Sequence, residues 1–268
     1  MRTLPLYYLV LALLIVFPAL EPNTQQALWK YVLLIQNAFS PMPESNWFGT
    51  SWSLVIEEWS YILMPVLAIS AFRSSRNAVL GSALCLCLAA FVFRLMAWAE
   101  PSDWDMTVRK LLLTRLDAIA YGVILAYFYH RNTASLVRYC FILSPLSVVL
   151  FLLNGWMLSA LANLDNFYGR VLALPGFAIA VCLLMPIVLT IKRFPFFGVI
   201  ITWIAMVSYA AYLVHWSVMF LAMSWPSNYQ FIGYLTGTLL AAATLSYSVE
   251  QPIMRLRPKQ HQSKTAKD

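Results

Sequence analysis

An all-α, polytopic membrane helix bundle of about eight transmembrane helices is the fold class this sequence predicts, on three observations. Of the 268 residues, 61% are hydrophobic and only 11% are charged. Ordinary globular domains carry roughly a quarter charged residues, so too few charges remain here to cover a water-facing surface. The apolar residues fall into eight stretches near the ~20 residues that a helix needs to cross hydrocarbon. The cations sit in short runs between those stretches, a pattern that orients membrane helices rather than one that grips nucleic acid, despite a formal net charge of +7.

The stretches are 4–20, 51–71, 78–99, 114–129, 139–156, 172–190, 197–223 and 230–249. The first follows Met1-Arg2 and lacks a small-x-small cleavage site, so it reads as a retained helix rather than a signal peptide. The segment Trp29–Phe39 is apolar but too short to cross, and is expected to lie along the interface. The span 114–129 is the weakest, because Arg115 and Asp117 stand at its start. With Arg2 cytoplasmic and the spans alternating, twelve Lys and Arg fall on the cytoplasmic side. Five fall outside: Lys30, Arg109, Lys110, Arg115 and Arg170. That bias puts both termini in the cytoplasm. Residues 1–250 then form one transmembrane domain, and 251–268 a basic cytoplasmic tail. The four cysteines all lie in apolar stretches without metal-ligand spacing, so no metal site is indicated.

Ionisable side chains in a membrane are costly and therefore mark candidate sites. On 51–71, Ser53, Glu57 and Tyr61 recur at i, i+4 and i+8 and share a face. Glu57 lies roughly 9 Å below the outer end at 1.5 Å per residue, and needs a partner or a wet cavity. Arg94, at a similar depth on 78–99, is a candidate partner; snorkelling to the interface is the competing reading. Arg115 and Asp117 point to opposite sides of a helix, so each is expected to meet another helix, a ligand or water. Ser208, Tyr212 and His215 form one stripe of 197–223. His215 could move protons, or it could simply hydrogen-bond a neighbouring helix. In the inferred topology Glu57, Arg94, Arg115, Asp117 and His215 all lie in the outer half of the membrane, which predicts a polar cavity open to the outside.

The run Trp52-Ser53-Leu54…Glu57-Glu58-Trp59…Tyr61…Pro65 resembles a signature of the acyltransferase-3 family of bacterial membrane O-acyltransferases. Thr114-Arg-Leu-Asp-Ala…Gly122, Ser208-Tyr-x-x-Tyr-Leu-x-His-Trp and Val249-Glu-Gln-Pro resemble later motifs of the same family, in the family's order. The resemblance implies transfer of an acetyl or other acyl group to a hydroxyl of a cell-surface carbohydrate or lipid-linked acceptor. Acetyl-CoA or another acyl-CoA would be co-substrate, with no permanently bound cofactor, no metal and no nucleic acid. The resemblance assigns the base to a His with no match in this chain; in its place Glu57 and His215 are the candidate catalytic residues. Trp52, Ser53, Arg94, Arg115, Asp117, Ser208 and Tyr212 are the candidate binding residues. Family members usually have about ten spans, and the first carries the Arg and His held to be catalytic. This chain resembles the family from the third span onward, so a truncated gene model, a degraded copy and one half of a split enzyme, whose partner would be a separate chain supplying the first two helices, are the open alternatives. A small-molecule permease and an inactive membrane partner protein are the competing readings.

Overall fold

The computed structural model of the protein describes residues 3–21, 27–42, 47–72, 76–99, 103–159, 165–191 and 197–256. Its helices are α1 (Leu4–Val16), α2 (Leu28–Val32), α3 (Trp52–Phe72), α4 (Arg76–Ala99), α5 (Asp117–Arg131), α6 (Thr133–Ser159), α7 (Ala173–Thr190), α8 (Gly198–Met223), α9 (Ser227–Leu245) and α10 (Gln251–Arg255). No strand occurs among the described residues. Each of the eight apolar stretches carries one of these helices. Among the described residues, five helical segments are long and apolar enough to cross a bilayer: Asn77–Ala99, Thr133–Met157, Tyr168–Thr190, Gly198–Met223 and Ser227–Arg255. The chain is an integral membrane protein of the helix-bundle class. Large apolar side chains point outward along these helices, among them Phe141, Ile142 and Leu152 on α6 and Phe231 and Leu240 on α9. Lipid, not water, suits such a surface.

Two elements differ from the sequence expectation. The first span ends early, at Val16, because Pro18 disfavours helical backbone at Phe17, which turns to φ −121° and ψ 76°. A short 3₁₀ turn, Pro18–Leu20, follows. The segment 29–39 is not one interfacial helix: only Leu28–Val32 is helical. Its continuation buries the amides of Gln36 and Asn37 completely, because their hydrogen-bond partners lie inside the protein. Of the cations counted for orientation, Arg2, Arg73, Lys192, Arg193 and those of the tail from Arg257 onward lie outside the described residues.

The chain forms two compact units. One comprises residues 1–24, 47–50 and 196–268. In it α8 and α9 run antiparallel across the short connection Ser224-Trp225-Pro226. Gly237 lets α9 approach α8, and Gly233, its small-xxx-small partner, makes room for the Trp225 ring of the connection. A Cβ on Gly237 would meet Val218 Cγ1 at 3.0 Å, and one on Gly233 would meet the Trp225 ring at 2.7 Å. The spacing was visible in the sequence but was not read as a contact. Gly237→Val is expected to lower stability by about 1–3 kcal/mol through overpacking. Gly155→Ala, on α6 where nothing lies within 4 Å, should raise it by up to about 1 kcal/mol. Thermal melting of both variants in detergent checks this. The Tyr209 hydroxyl of α8 donates to the Thr3 carbonyl at 2.7 Å, and the Ser246 hydroxyl donates to the Met206 carbonyl at 3.2 Å.

The other unit comprises residues 25–46 and 51–195. Here α6 packs on α7, and α4 packs on both α3 and α5. The Ser147 hydroxyl on α6 donates to the Ala180 carbonyl on α7 at 2.6 Å. The loop after α4 is tied down by Trp104, whose indole N–H donates to the Gly169 carbonyl at 2.9 Å. Arg170, buried beside Asp165, reaches the Ala97 carbonyl at 2.8 Å. Pro65, Pro145 and Pro186 sit inside α3, α6 and α7. Interior prolines are tolerated in membrane helices, where neighbouring groups re-satisfy the freed carbonyls.

Candidate functional site

The polar side chains singled out in the sequence fall into one set per unit. In the larger unit the set is built where α4 ends and α5 begins. Arg94 is fully buried, and its Nη2 lies 2.7 Å from Asp117 Oδ2. Its Nη1 donates to the Thr114 carbonyl at 2.6 Å. Both side chains of the pair are within a few per cent of complete burial. Snorkelling of Arg94 is excluded, and its acid is Asp117 rather than Glu57. The reason is helix pairing: α4 and α5 are packed neighbours with these residues at facing ends. Thr114, itself buried, turns its hydroxyl back onto the Val108 and Leu111 carbonyls at 2.8 Å each. That fixes the carbonyl that Arg94 grips.

Arg115 closes the 3₁₀ turn Leu113–Arg115 just before α5. It is half-buried, and its Nε is closed off from water without a hydrogen-bond partner among the described residues. Just upstream, Asp105 bridges Arg109 and Lys110, with the ammonium 2.6 Å from Oδ2. Burial raises the Asp105 carboxyl, but the two cations outweigh it and hold the group below the usual carboxylate range. The Arg109 guanidinium lies 5.3 Å from the centre of the Trp52 ring. Glu57 accepts a hydrogen bond from the Tyr61 hydroxyl at 2.6 Å, the i, i+4 contact expected of that face. Ser53, on the same helix, is also engaged.

Sequence reasoning missed Gln36 and Asn37. The Gln36 side chain donates to Ser51 Oγ at 3.0 Å, and the Asn37 side chain donates to the carbonyls of Trp52, at 3.1 Å, and of Lys110. The Asn37 carbonyl also accepts from the Leu112 N–H at 2.9 Å. One asparagine therefore clamps the start of α3 to the loop that carries Lys110. Adjacent amides inside an apolar run were the available signal, since buried polar groups demand partners.

In the smaller unit the Tyr212 hydroxyl donates to the Thr50 carbonyl at 3.0 Å, and the Thr50 hydroxyl reaches the Leu213 carbonyl at 3.4 Å. The Ser208 hydroxyl turns back to the Ala205 carbonyl at 2.9 Å. His215 Nδ1 lies 2.7 Å from the Tyr212 carbonyl. A carbonyl can only accept, so Nδ1 carries the proton and Nε2 keeps its lone pair in the neutral ring. The segment Trp47–Thr50 is anchored by Glu21, buried to 2% exposure, whose Oε1 accepts from the Gly49 N–H at 3.3 Å. Burial pushes the Glu21 carboxyl up to about 7 against the lowering effect of the Gly49 and Phe48 amides.

The sign of that shift sets a test. The folded state holds the Glu21 proton more tightly than the unfolded chain, so stability is fullest below the ordinary value of 4.5 and declines toward pH 7. Glu21→Gln keeps an acceptor but no charge. It is expected to match the wild type at pH 4 and to exceed it at pH 8 by at most about 3 kcal/mol, read from melting curves at the two pH values.

These features define a polytopic helical membrane protein that buries ionisable groups in each of its two units. An acyltransferase-domain family model matches residues 1–250, and the chain belongs to that family, the acyltransferase-3 group. No curated protein and no solved structure matches it.

Proposed function

We propose that this acyltransferase-family protein moves an acetyl or other acyl group from an acyl-CoA to a hydroxyl of a cell-surface carbohydrate or similar acceptor. In this reading it works in the inner membrane with both termini cytoplasmic. Residues 1–250 act as the transmembrane domain and 251–268 as a basic tail. The observation that carries the reading is the family match over residues 1–250 in a chain of membrane-length apolar helices. The side-chain geometry supports it. A hydroxyl is a poor nucleophile at neutral pH and needs a base in reach. In this reading the base takes the hydroxyl proton as the oxygen attacks the thioester carbon. The carbon–sulfur bond then breaks, and the CoA thiol leaves with a proton.

Two groups fit the role of base: the Glu57 carboxylate, oriented by Tyr61, and His215 Nε2, freed by the Nδ1 contact with Tyr212. In this reading Trp52, Ser53, Arg94, Arg115 and Asp117 of the larger unit, and Ser208 and Tyr212 of the smaller one, are the residues assigned to holding donor or acceptor. The test supplies labelled acetyl-CoA and candidate polysaccharides to membranes carrying the protein. Two preparations are compared: the chain as given, and the chain joined in frame to whatever coding sequence lies upstream of Met1. Label appearing in the polysaccharide fraction supports the reading. Label in neither preparation overturns it in favour of a permease or an inactive partner protein.

A further inference from the structure

We propose that Arg115, with Arg109 beside Trp52, forms a subsite for an anionic oxygen group, a carboxylate or a phosphate, carried by the acceptor. This rests on the acyl-transfer reading above and narrows its substrate class to charged sugars. The argument is one of charge left over. The larger unit gathers four cations around the start of α5: Arg94, Arg109, Lys110 and Arg115. Asp117 is held by Arg94 at 2.7 Å, and Asp105 is shared by Arg109 and Lys110. The Arg115 guanidinium has no ion pair among the described residues, and its Nε is sealed from water without a hydrogen-bond partner there.

The charged groups acting on Arg115 are Asp117, Arg94 and Arg109: two cations and one acid that is already engaged. A guanidinium that is partly desolvated and faced by like charge is costly to keep. An incoming oxyanion removes that cost with two parallel N–H···O bonds, for which the guanidinium fork is shaped. The Arg109 guanidinium over the Trp52 ring, 5.3 Å from its centre, adds a second cation and an aromatic surface within the same unit. Arg115 is only half-buried, so a ligand can reach it.

The test uses the protein in lipid nanodiscs and three soluble probes: a methyl glucuronide, a hexose phosphate and the uncharged methyl glucoside. Binding is read by calorimetry with no acyl donor present. At least one charged probe is expected to bind tenfold or more tightly than the glucoside, and the better of the two says which oxyanion is read. Arg115→Gln should erase the preference, and Arg115→Lys should keep part of it. If Arg115→Gln fails to fold, the unmodified protein still decides, because the preference must shrink as salt is raised. Equal binding of charged and neutral probes, or a preference that survives Arg115→Gln, overturns the subsite. The two proposals fail separately. Charged-probe binding without label transfer sinks the acyl-transfer reading alone, and label transfer to neutral acceptors without charged-probe binding sinks the subsite alone.

Discussion

Asp117→Ala is expected to destabilise the protein by about 3–5 kcal/mol, because it strands the Arg94 guanidinium as an uncompensated charge in the interior. The pair is buried on both sides, and Arg94 Nε has no partner among the described residues, so no second acid stands ready to take over. Among the described residues the Thr114 carbonyl would remain as the acceptor for that guanidinium. The informative control is the double variant Arg94→Met with Asp117→Leu. Replacing a buried ion pair by apolar side chains of similar volume is often neutral or better, so the double variant should recover most of the loss. Unfolding in mixed micelles measures all three chains. If the single variant melts like the wild type, the pair does not hold α4 to α5.

Glu57→Gln is expected to reduce label transfer by roughly 100-fold or more while leaving membrane insertion normal, since a positioned general base contributes about 10²–10⁴ in rate. The substitution keeps an oxygen to accept the Tyr61 hydroxyl but removes the lone-pair basicity. Tyr61→Phe removes only the orienting bond and should cost less. His215→Gln belongs in the same assay, since His215 is the other candidate. If transfer collapses in that variant and survives Glu57→Gln, the proton goes to the imidazole and Glu57 leaves the site. Transfer unchanged in both would place the base on neither residue.

The helices were legible in the sequence because hydrocarbon imposes a length and a polarity that composition records directly. All eight apolar stretches carry a helix, and the i, i+4 link from Glu57 to Tyr61 formed as spacing required. The partner of Arg94 was not legible in this way. Glu57 and Asp117 both offered a carboxylate at a suitable depth, and nothing in the periodicity of α4 states which neighbour its polar residue faces. That choice depends on helix rotation and pairing. The 29–39 segment failed for a related reason: its apolar residues suggested the interface, while two amides with internal partners drew it inward. Asp117 meets another helix through Arg94, as its two-residue offset from Arg115 suggested.

Among the described residues, Asp105–Arg109, Tyr168–Leu172 and Ser246–Glu250 are wound as π-turns. Each holds one residue more than an α-helix would place in the same rise. The last of them joins α9 to α10, so the side-chain stripes on either side of it are out of phase by about 100°, one residue's rotation. A helical wheel drawn straight through 227–255 would therefore assign the wrong lipid-facing edge to everything past Glu250. Any evolutionary or engineered indel within those five positions would act as a dial, re-aiming the chain's final turn without lengthening its path through the bilayer.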